Sequence, residues 1–220
     1  MQCKNNVNRG VFLKNTGCGL CNRKCRVDRD NGEKGFCGET SEIRCGRAAL
    51  HMWEEPCISG TRGSGTVFFT GCVLKCVFCQ NSVLAESKVG KPVTVSRLAE
   101  IFLELQNKGA HNINLVTPTH FVPSIRESII LSKKNGLSVP IVYNTGSYES
   151  VDTIKSLEGL VDIYLPDLKY VSSELSKKYS KAGDYFEVAR KAIDEMVRQT
   201  GTSEFDAVSY THLTLPTIRL

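Results

Sequence analysis

The chain has 220 residues, and its hydrophobic content of 41% is sufficient for one full core with a small appended module. Its net charge of +5 is spread along the chain without a long basic run, so we do not expect a nucleic-acid partner. No stretch approaches the roughly 18 apolar residues of a membrane span, and Met1 to Leu13 is too polar for a signal peptide, so we expect a cytoplasmic protein.

All ten cysteines lie in the first third of the chain, between Cys3 and Cys79. Because thiols stay reduced in the cytoplasm, this content indicates metal binding more than disulfides. Cys3, Cys45 and Cys57 have no obvious partners, and we interpret them as structural or adventitious. Residues 1–17 show no periodicity and are predicted to be a loop.

The first group of cysteines follows this loop. Cys18 and Cys21 form a CxxC pair, Cys25 comes next, and Cys37 lies beyond a turn rich in Asp, Asn and Gly. Four thiolates at this spacing predict a metal site, and either zinc or an iron–sulfur cluster would suit it, because both bind thiolate. Four free buried cysteines are the alternative interpretation.

The stretch from Ile43 to Gly60 is predicted to be a linker that packs on the unit after it, with Trp53 as its anchor. Beyond it, predicted strands alternate with amphipathic helices, which indicates a parallel sheet with right-handed crossovers. The predicted strands are Thr66–Thr70, Asn112–Thr117, Val139–Thr145 and Val161–Lys169. The apolar helix positions are Leu98, Ile101, Phe102 and Leu105, then Val122, Ile125, Ile129 and Ile130, and finally Phe186, Ala189, Ile193, Met196 and Val197.

A second group of cysteines follows the first of these strands with the spacing Cys72-x3-Cys76-x2-Cys79. Three thiolates on one short loop can hold three corners of a cubane iron–sulfur cluster. No cysteine occurs after Cys79, so one iron of such a cluster would stay open for chemistry. A zinc knuckle or three core cysteines is the weaker interpretation, because structural zinc requires four ligands.

This loop resembles the signature of the radical S-adenosylmethionine (radical SAM) enzymes. The stretches Trp53–Pro56, Gly63–Phe69 and Cys79–Asn81 resemble, more narrowly, the uncharacterised iron–sulfur proteins related to pyruvate formate-lyase-activating enzyme. The resemblance extends from about Cys18 to Asp206. It implies an α/β fold, a partial (βα)6-type radical SAM barrel that is C-terminally incomplete, with a small Cys-rich N-terminal segment.

The expected organisation is a Cys-rich segment and linker over residues 1–60, a partial barrel over 61–206 and a non-native tail over 207–220. The tail resembles adapter sequence read as protein. A genuine strand at Leu213–Leu215 is the rival interpretation.

The resemblance implies that a 4Fe–4S cluster reductively cleaves S-adenosylmethionine and that the resulting radical abstracts hydrogen from a substrate. Such enzymes take the electron from a donor such as flavodoxin or ferredoxin. Glycyl radical activases act on a protein, so a protein is the candidate substrate here. Two rival functions are a non-catalytic iron–sulfur protein for electron transfer or redox sensing, and a zinc-ribbon binding module.

Candidate S-adenosylmethionine contacts follow the ends of the predicted strands, where functional residues of parallel barrels gather. Asn114 and Thr117 belong to the second strand, where the glycine- and glutamate-containing motif of the family is absent. Asn144 lies in a Tyr-Asn-Thr-Gly stretch that resembles the Asp-Thr-Asn-Gly of the activating enzymes. Asp167 and Lys169 match an Asp-x-Lys motif in which the lysine contacts the cofactor.

A purely structural role is the alternative interpretation for several of these residues. The polar groups after the second strand, including Thr119, could cap a loop or helix, and His120 could be a supporting hydrogen-bond donor or a surface residue. The Asp167–Lys169 pair could be a salt bridge at a strand end.

Overall fold

The computed structural model describes residues 17–201 and, beyond them, the backbone of two short paired strands. Cys3 and the rival strand at Leu213–Leu215 lie outside the described residues. The strands in chain order are β1 (Arg44–His51), β2 (Ser64–Phe69), β3 (Lys91–Pro92), β4 (Ile113–Val116), β5 (Ile141–Thr145), β6 (Ile163–Pro166), β7 (Glu204–Phe205) and β8 (Tyr210–His212).

The central sheet has six strands in the order β3-β1-β2-β4-β5-β6. Strands β2, β4, β5 and β6 are parallel, as the alternating pattern predicted, whereas β1 and β3 form an antiparallel extension at one edge. The chain therefore has the α/β architecture of a partial barrel, preceded by a Cys-rich segment.

Seven helices accompany the strands in the described part of the chain. They are α1 (Pro56–Ser59), α2 (Ser82–Ala85), α3 (Val95–Asn107), α4 (Val122–Lys134), α5 (Val151–Lys155), α6 (Ser173–Ser180) and α7 (Tyr185–Thr200). Helix α3 begins after Thr94, whose hydroxyl accepts a hydrogen bond from the backbone N–H of Arg97 at 3.1 Å, a standard N-cap. Short 3-10 turns occupy Arg29–Asn31 and Thr119–Phe121.

Alternation along the strands gives the sheet two different faces. Val67, Leu115, Tyr143 and Tyr164 are neighbours in register and belong to the large apolar cluster that includes residues of α3, α4 and α7. Residues one position away point to the other face, the inner face of the partial barrel. There, Ile58 of α1 packs with side chains of β5 and β6.

Two details of the predicted linker are wrong. Residues Arg44–His51 form β1, which pairs antiparallel with β2, so this part of the stretch belongs to the central sheet. Trp53 is 88% exposed and anchors nothing, whereas Ile58 is 1% exposed and packs on the sheet instead. Trp53 lies just beyond the end of β1, before α1 begins, and does not face the apolar interior.

The fourth predicted strand is also shorter than expected. Strand β6 ends at Pro166, so Asp167 and Lys169 lie just beyond it and not within it. The Asp167 N–H still donates to the Thr145 carbonyl at 2.9 Å, which keeps this segment beside the end of β5.

Candidate metal and cofactor site

The cysteine loop begins directly after β2, at the carboxyl edge of the parallel strands. Gly71 adopts a φ of +79°, and a Cβ there would lie 2.6 Å from Cγ of Glu39 and 2.8 Å from the carbonyl oxygen of Cys37. Only glycine fits this close approach between the loop and the Cys-rich segment. Lys75, inside the loop, has a φ of +50°, so a second left-handed residue turns the chain between Cys72 and Cys76.

The three thiols of this loop influence one another. Burial raises the pKa of Cys72, and the neighbouring Cys76 and Cys79 raise it further. Burial likewise raises the pKa of Cys79. Without a cation these buried groups favour the neutral thiol, because burial disfavours an unpaired anion. An iron cluster would supply the positive charge that holds them as thiolates.

Hydrogen-bond donors already point at these sulfurs. The backbone N–H of Leu74 donates to Sγ of Cys72 at 3.4 Å, and the hydroxyl of Ser180 donates to Sγ of Cys76 at 2.9 Å. Among the described residues, no group of three or more His, Cys, Asp or Glu side chains is arranged to hold a metal ion. The ligands of a cubane bind different iron atoms and do not converge on one point. Three cysteine thiols on one short loop are the donor type that holds a cubane cluster, so the residues present fit this group.

Lys169 lies close to this loop. Its charge opposes the rise in the pKa of Cys79, and its Cε is 3.4 Å from the position of a Cβ on Gly146. Its ammonium forms an ion pair with the carboxylate of Asp167, and each side chain is 23% exposed. The ion pair at the strand end is thus present, and the cofactor contact stays a prediction.

Of the other three predicted cofactor contacts, two lie at the carboxyl edge of the sheet and one lies further down its strand. Thr117 and Asn144 lie at the carboxyl ends of the adjacent strands β4 and β5, where the Thr117 N–H donates to the Asn144 carbonyl at 2.9 Å. Asn114 lies three residues earlier than Thr117, roughly 10 Å further down the strand. Its amide donates to the carboxylate of Glu54 at 2.7 Å, and its Oδ1 has no hydrogen-bond partner in the described part of the chain.

The four N-terminal thiols are also brought together. Burial raises the pKa of Cys21 to about 12, and Glu149, Cys18 and Cys25 add to the rise. Burial raises the pKa of Cys37, and the thiols of Cys18 and Cys25 raise it further. A Cβ on Gly35 would lie 3.5 Å from Sγ of Cys25 and 3.6 Å from Sγ of Cys37. The structure therefore groups these four thiols, and the metal that they would hold stays a prediction.

The histidine after β4 is a buried residue and not a surface one. His120 is 3% exposed, and its Nε2–H donates to the carbonyl oxygen of Thr70 at 2.6 Å. Burial lowers the pKa of His120 to about 3, and the positive charges of Arg29 and Lys75 lower it further. The imidazole therefore stays neutral and ties the end of β2 to the turn after β4.

Sequence reasoning missed a buried carboxyl group at this edge. Glu149 accepts hydrogen bonds from the hydroxyls of Thr119, at 2.7 Å, and Thr145. Burial raises the pKa of Glu149 to about 7, and the hydroxyl donors limit the rise. No periodic signal marks this residue, and its contact with Thr119 joins two segments that lie 30 residues apart in the chain.

A parallel α/β partial barrel with a three-thiol loop after its first parallel strand defines a radical SAM-type protein. The chain belongs to the radical SAM superfamily, whose family match covers residues 66–218. Proteins of this superfamily generally bind a 4Fe–4S cluster and S-adenosylmethionine and are enzymes that use an external reductant. The match overlaps the predicted non-native tail, and that prediction stays untested.

The chain is also similar to an uncharacterized protein of Methanocaldococcus jannaschii, with 32% identity over 183 residues. The aligned region covers 79% of this chain and 52% of the relative, so the chain spans about half the length of that curated relative. No helix in the described ranges is long and apolar enough to cross a membrane.

Proposed function

We propose that this chain cleaves S-adenosylmethionine reductively at a 4Fe–4S cluster held by Cys72, Cys76 and Cys79. When bound and given an electron by an external donor, the cluster and S-adenosylmethionine would supply radical chemistry for hydrogen abstraction from the substrate, with methionine as the leaving product. The observation that carries the proposal is the position of three thiols on one loop directly after β2, at the carboxyl edge of the parallel strands and near the Lys169 ammonium.

The residues around the loop have separate tasks in this proposal. Lys169 provides positive charge for the carboxylate of S-adenosylmethionine, and Asp167 orients the ammonium. Thr117 and Asn144 offer oxygen atoms at the same edge that can accept hydrogen bonds from the amino group. Asn114, deeper along β4, stays a predicted S-adenosylmethionine contact, since its Oδ1 has no hydrogen-bond partner among the described residues while its amide nitrogen donates to Glu54.

The substrate class rests on resemblance. Proteins related to pyruvate formate-lyase-activating enzyme act on another protein, so we propose a protein C–H bond as the target and flavodoxin or ferredoxin as the electron donor. We assign the reaction to the cytoplasm, where the ten cysteines stay reduced. The four N-terminal thiols are proposed to bind a second metal, zinc or iron, that has a structural role.

The test is anaerobic reconstitution with iron and sulfide, followed by measurement of 5′-deoxyadenosine after addition of dithionite and S-adenosylmethionine. The Cys72/Cys76/Cys79→Ala variant should form none, whereas Cys45→Ala, outside both thiol groups, should match the unmodified chain. A reconstituted chain that carries a redox-active cluster but forms no 5′-deoxyadenosine would favour the electron-transfer or redox-sensing function.

A further inference from the structure

One sulfur of the cysteine loop receives a side-chain hydrogen bond from outside the loop. Ser180, the last residue of α6, is fully buried, and its hydroxyl lies 2.9 Å from Sγ of Cys76. The phenol oxygen of Tyr170 lies 2.6 Å from the same serine hydroxyl. Tyr170 is itself buried, so its hydrogen bond with Ser180 is shielded from solvent, whereas the Ser180–Cys76 bond is partly buried.

Elementary chemistry fixes the direction of these two bonds when Cys76 is a metal ligand. A ligating cysteine is a thiolate, which has no proton and can only accept. Ser180 must then donate its single proton to the sulfur, and it can only accept from Tyr170. The result is a chain of donors that runs from Tyr170 through Ser180 to Cys76, in which each bond polarises the next.

The surrounding contacts hold this donor chain in place. The Ser180 carbonyl accepts from a guanidinium nitrogen of Arg23 at 2.8 Å, which fixes the end of α6. The N–H of Val77, beside Cys76, donates to the Tyr179 carbonyl at 3.0 Å, which ties the loop to the same helix. The ring of Tyr170 packs edge-on against Tyr185, with centroids 5.3 Å apart. The loop and the two hydroxyls therefore form one unit.

We propose that Ser180 and Tyr170 are positioning residues that raise the reduction potential of the cluster bound at Cys76; this rests on the function proposed above. Reduction adds negative charge to the cluster and its sulfurs. A hydrogen bond to a ligand sulfur stabilises that added charge, so it favours the reduced state. Sγ of Cys72 accepts a hydrogen bond from the backbone N–H of Leu74 at 3.4 Å. The hydroxyl contact to Cys76 is shorter, so Cys76 is the ligand whose hydrogen bond affects the reduction potential more strongly.

The test is a redox titration of the reconstituted chain, monitored by the electron paramagnetic resonance signal that responds to S-adenosylmethionine. Ser180→Ala should lower the midpoint potential by about 59 mV, a tenfold shift of a one-electron equilibrium against the reduced state. Ser180→Thr keeps the hydroxyl and should restore most of the potential. The matched control is Ser176→Ala, a buried serine one turn earlier in α6 whose hydroxyl donates to the Ser173 carbonyl at 3.1 Å.

A Ser180→Ala variant with full iron content and an unchanged midpoint potential would overturn the inference. An equal shift in Ser176→Ala would do the same, because it would indicate a general effect of the helix. If Ser180→Ala loses iron, the redox titration is carried out on Tyr170→Phe instead, because this variant keeps the serine and all three cysteines. It should lower the potential by less than Ser180→Ala, and no shift would contradict the proposal. Absence of a cluster from the unmodified chain would instead refute the proposed function itself.

Discussion

The Nε–H of Arg23 donates a hydrogen bond to the carbonyl oxygen of Val73, at 2.8 Å. Val73 follows Cys72, so a residue of the Cys-rich segment is bonded directly to the loop proposed to hold the cluster. The same guanidinium donates to the Ser180 carbonyl at 2.8 Å and lies 3.9 Å above the ring of Phe36. One side chain thus joins the N-terminal segment, the cysteine loop and the end of α6.

Replacement of Arg23 by Lys should destabilise the protein although the charge is kept. Lysine cannot reproduce the planar fork that serves several carbonyl oxygens at once. Two lost hydrogen bonds of ordinary strength correspond to about 2 kcal/mol of unfolding free energy. Chemical denaturation measures this loss, and Arg26→Lys, at an exposed position of the same segment, should stay within about 0.5 kcal/mol. Equal losses in both variants would contradict the bridging role of Arg23.

The four N-terminal thiols should retain a metal when the cysteine loop cannot. We expect zinc or iron in the Cys72/Cys76/Cys79→Ala variant, because four grouped thiols satisfy either metal. Elemental analysis of the purified protein measures it. Further replacement of Cys37 by Ala should release the metal and lower stability, whereas Cys57→Ala in the same background should retain it. Finding neither zinc nor iron in the triple variant would remove the second site.

The buried His120 should make the protein sensitive to acid. Burial lowers its pKa to about 3, and its pKa in the unfolded chain is about 6.5. Because the folded pKa is the lower one, the stabilising contribution is fully present above pH 6.5 and is lost as pH falls towards 3. Between pH 6.5 and 5 the loss should reach about 2 kcal/mol of unfolding free energy, at about 1.4 kcal/mol for each pH unit.

Denaturation curves at several pH values measure this slope. His120→Gln should flatten the slope in this range while it lowers stability at pH 7, since Gln cannot titrate and fits the Thr70 carbonyl less well. His51→Gln, on strand β1, is the control and should keep the slope. A slope in His120→Gln equal to that of the unmodified chain would show that other groups cause the acid sensitivity.

The parallel sheet could be predicted from the sequence because its strands and helices have strong periodic patterns of apolar residues. The stripe Leu98, Ile101, Phe102 and Leu105 is buried as predicted, and the three-thiol loop follows β2 as expected. Strand β1 was missed because it includes Arg44, Gly46 and Arg47 and has no apolar alternation. Its strand conformation comes from pairing with β2, which is a tertiary effect.

The site could be predicted only where its residues lie close together in the sequence. Cys72, Cys76 and Cys79 are local, and so is the Asp167–Lys169 pair. The contact of Glu149 with Thr119 and the contacts of Arg23 join segments that are far apart in the chain, and no local pattern indicates them. Burial of a charged side chain such as Glu149 runs against its usual preference for the surface, so it depends on partners that only the fold supplies.

Lys169 is the residue whose assignment is best tested by affinity. Lys169→Ala should weaken binding of S-adenosylmethionine to the reconstituted protein by about tenfold or more, since a charge-assisted contact is worth roughly 1.5–3 kcal/mol. Calorimetry measures the affinity directly. Lys177→Ala removes an exposed lysine from α6 and should leave the affinity unchanged.

The partner of the ion pair separates the two interpretations of Lys169. If the ammonium binds the cofactor carboxylate, Asp167→Asn keeps that positive charge and should cost less affinity than Lys169→Ala. If Lys169 only stabilises the strand end, both variants should lose stability to a similar degree and bind S-adenosylmethionine as before. Unchanged affinity in Lys169→Ala would therefore place the lysine outside the cofactor site. It would leave the ion pair, with both side chains 23% exposed, as a modest structural contact within the turn that follows β6.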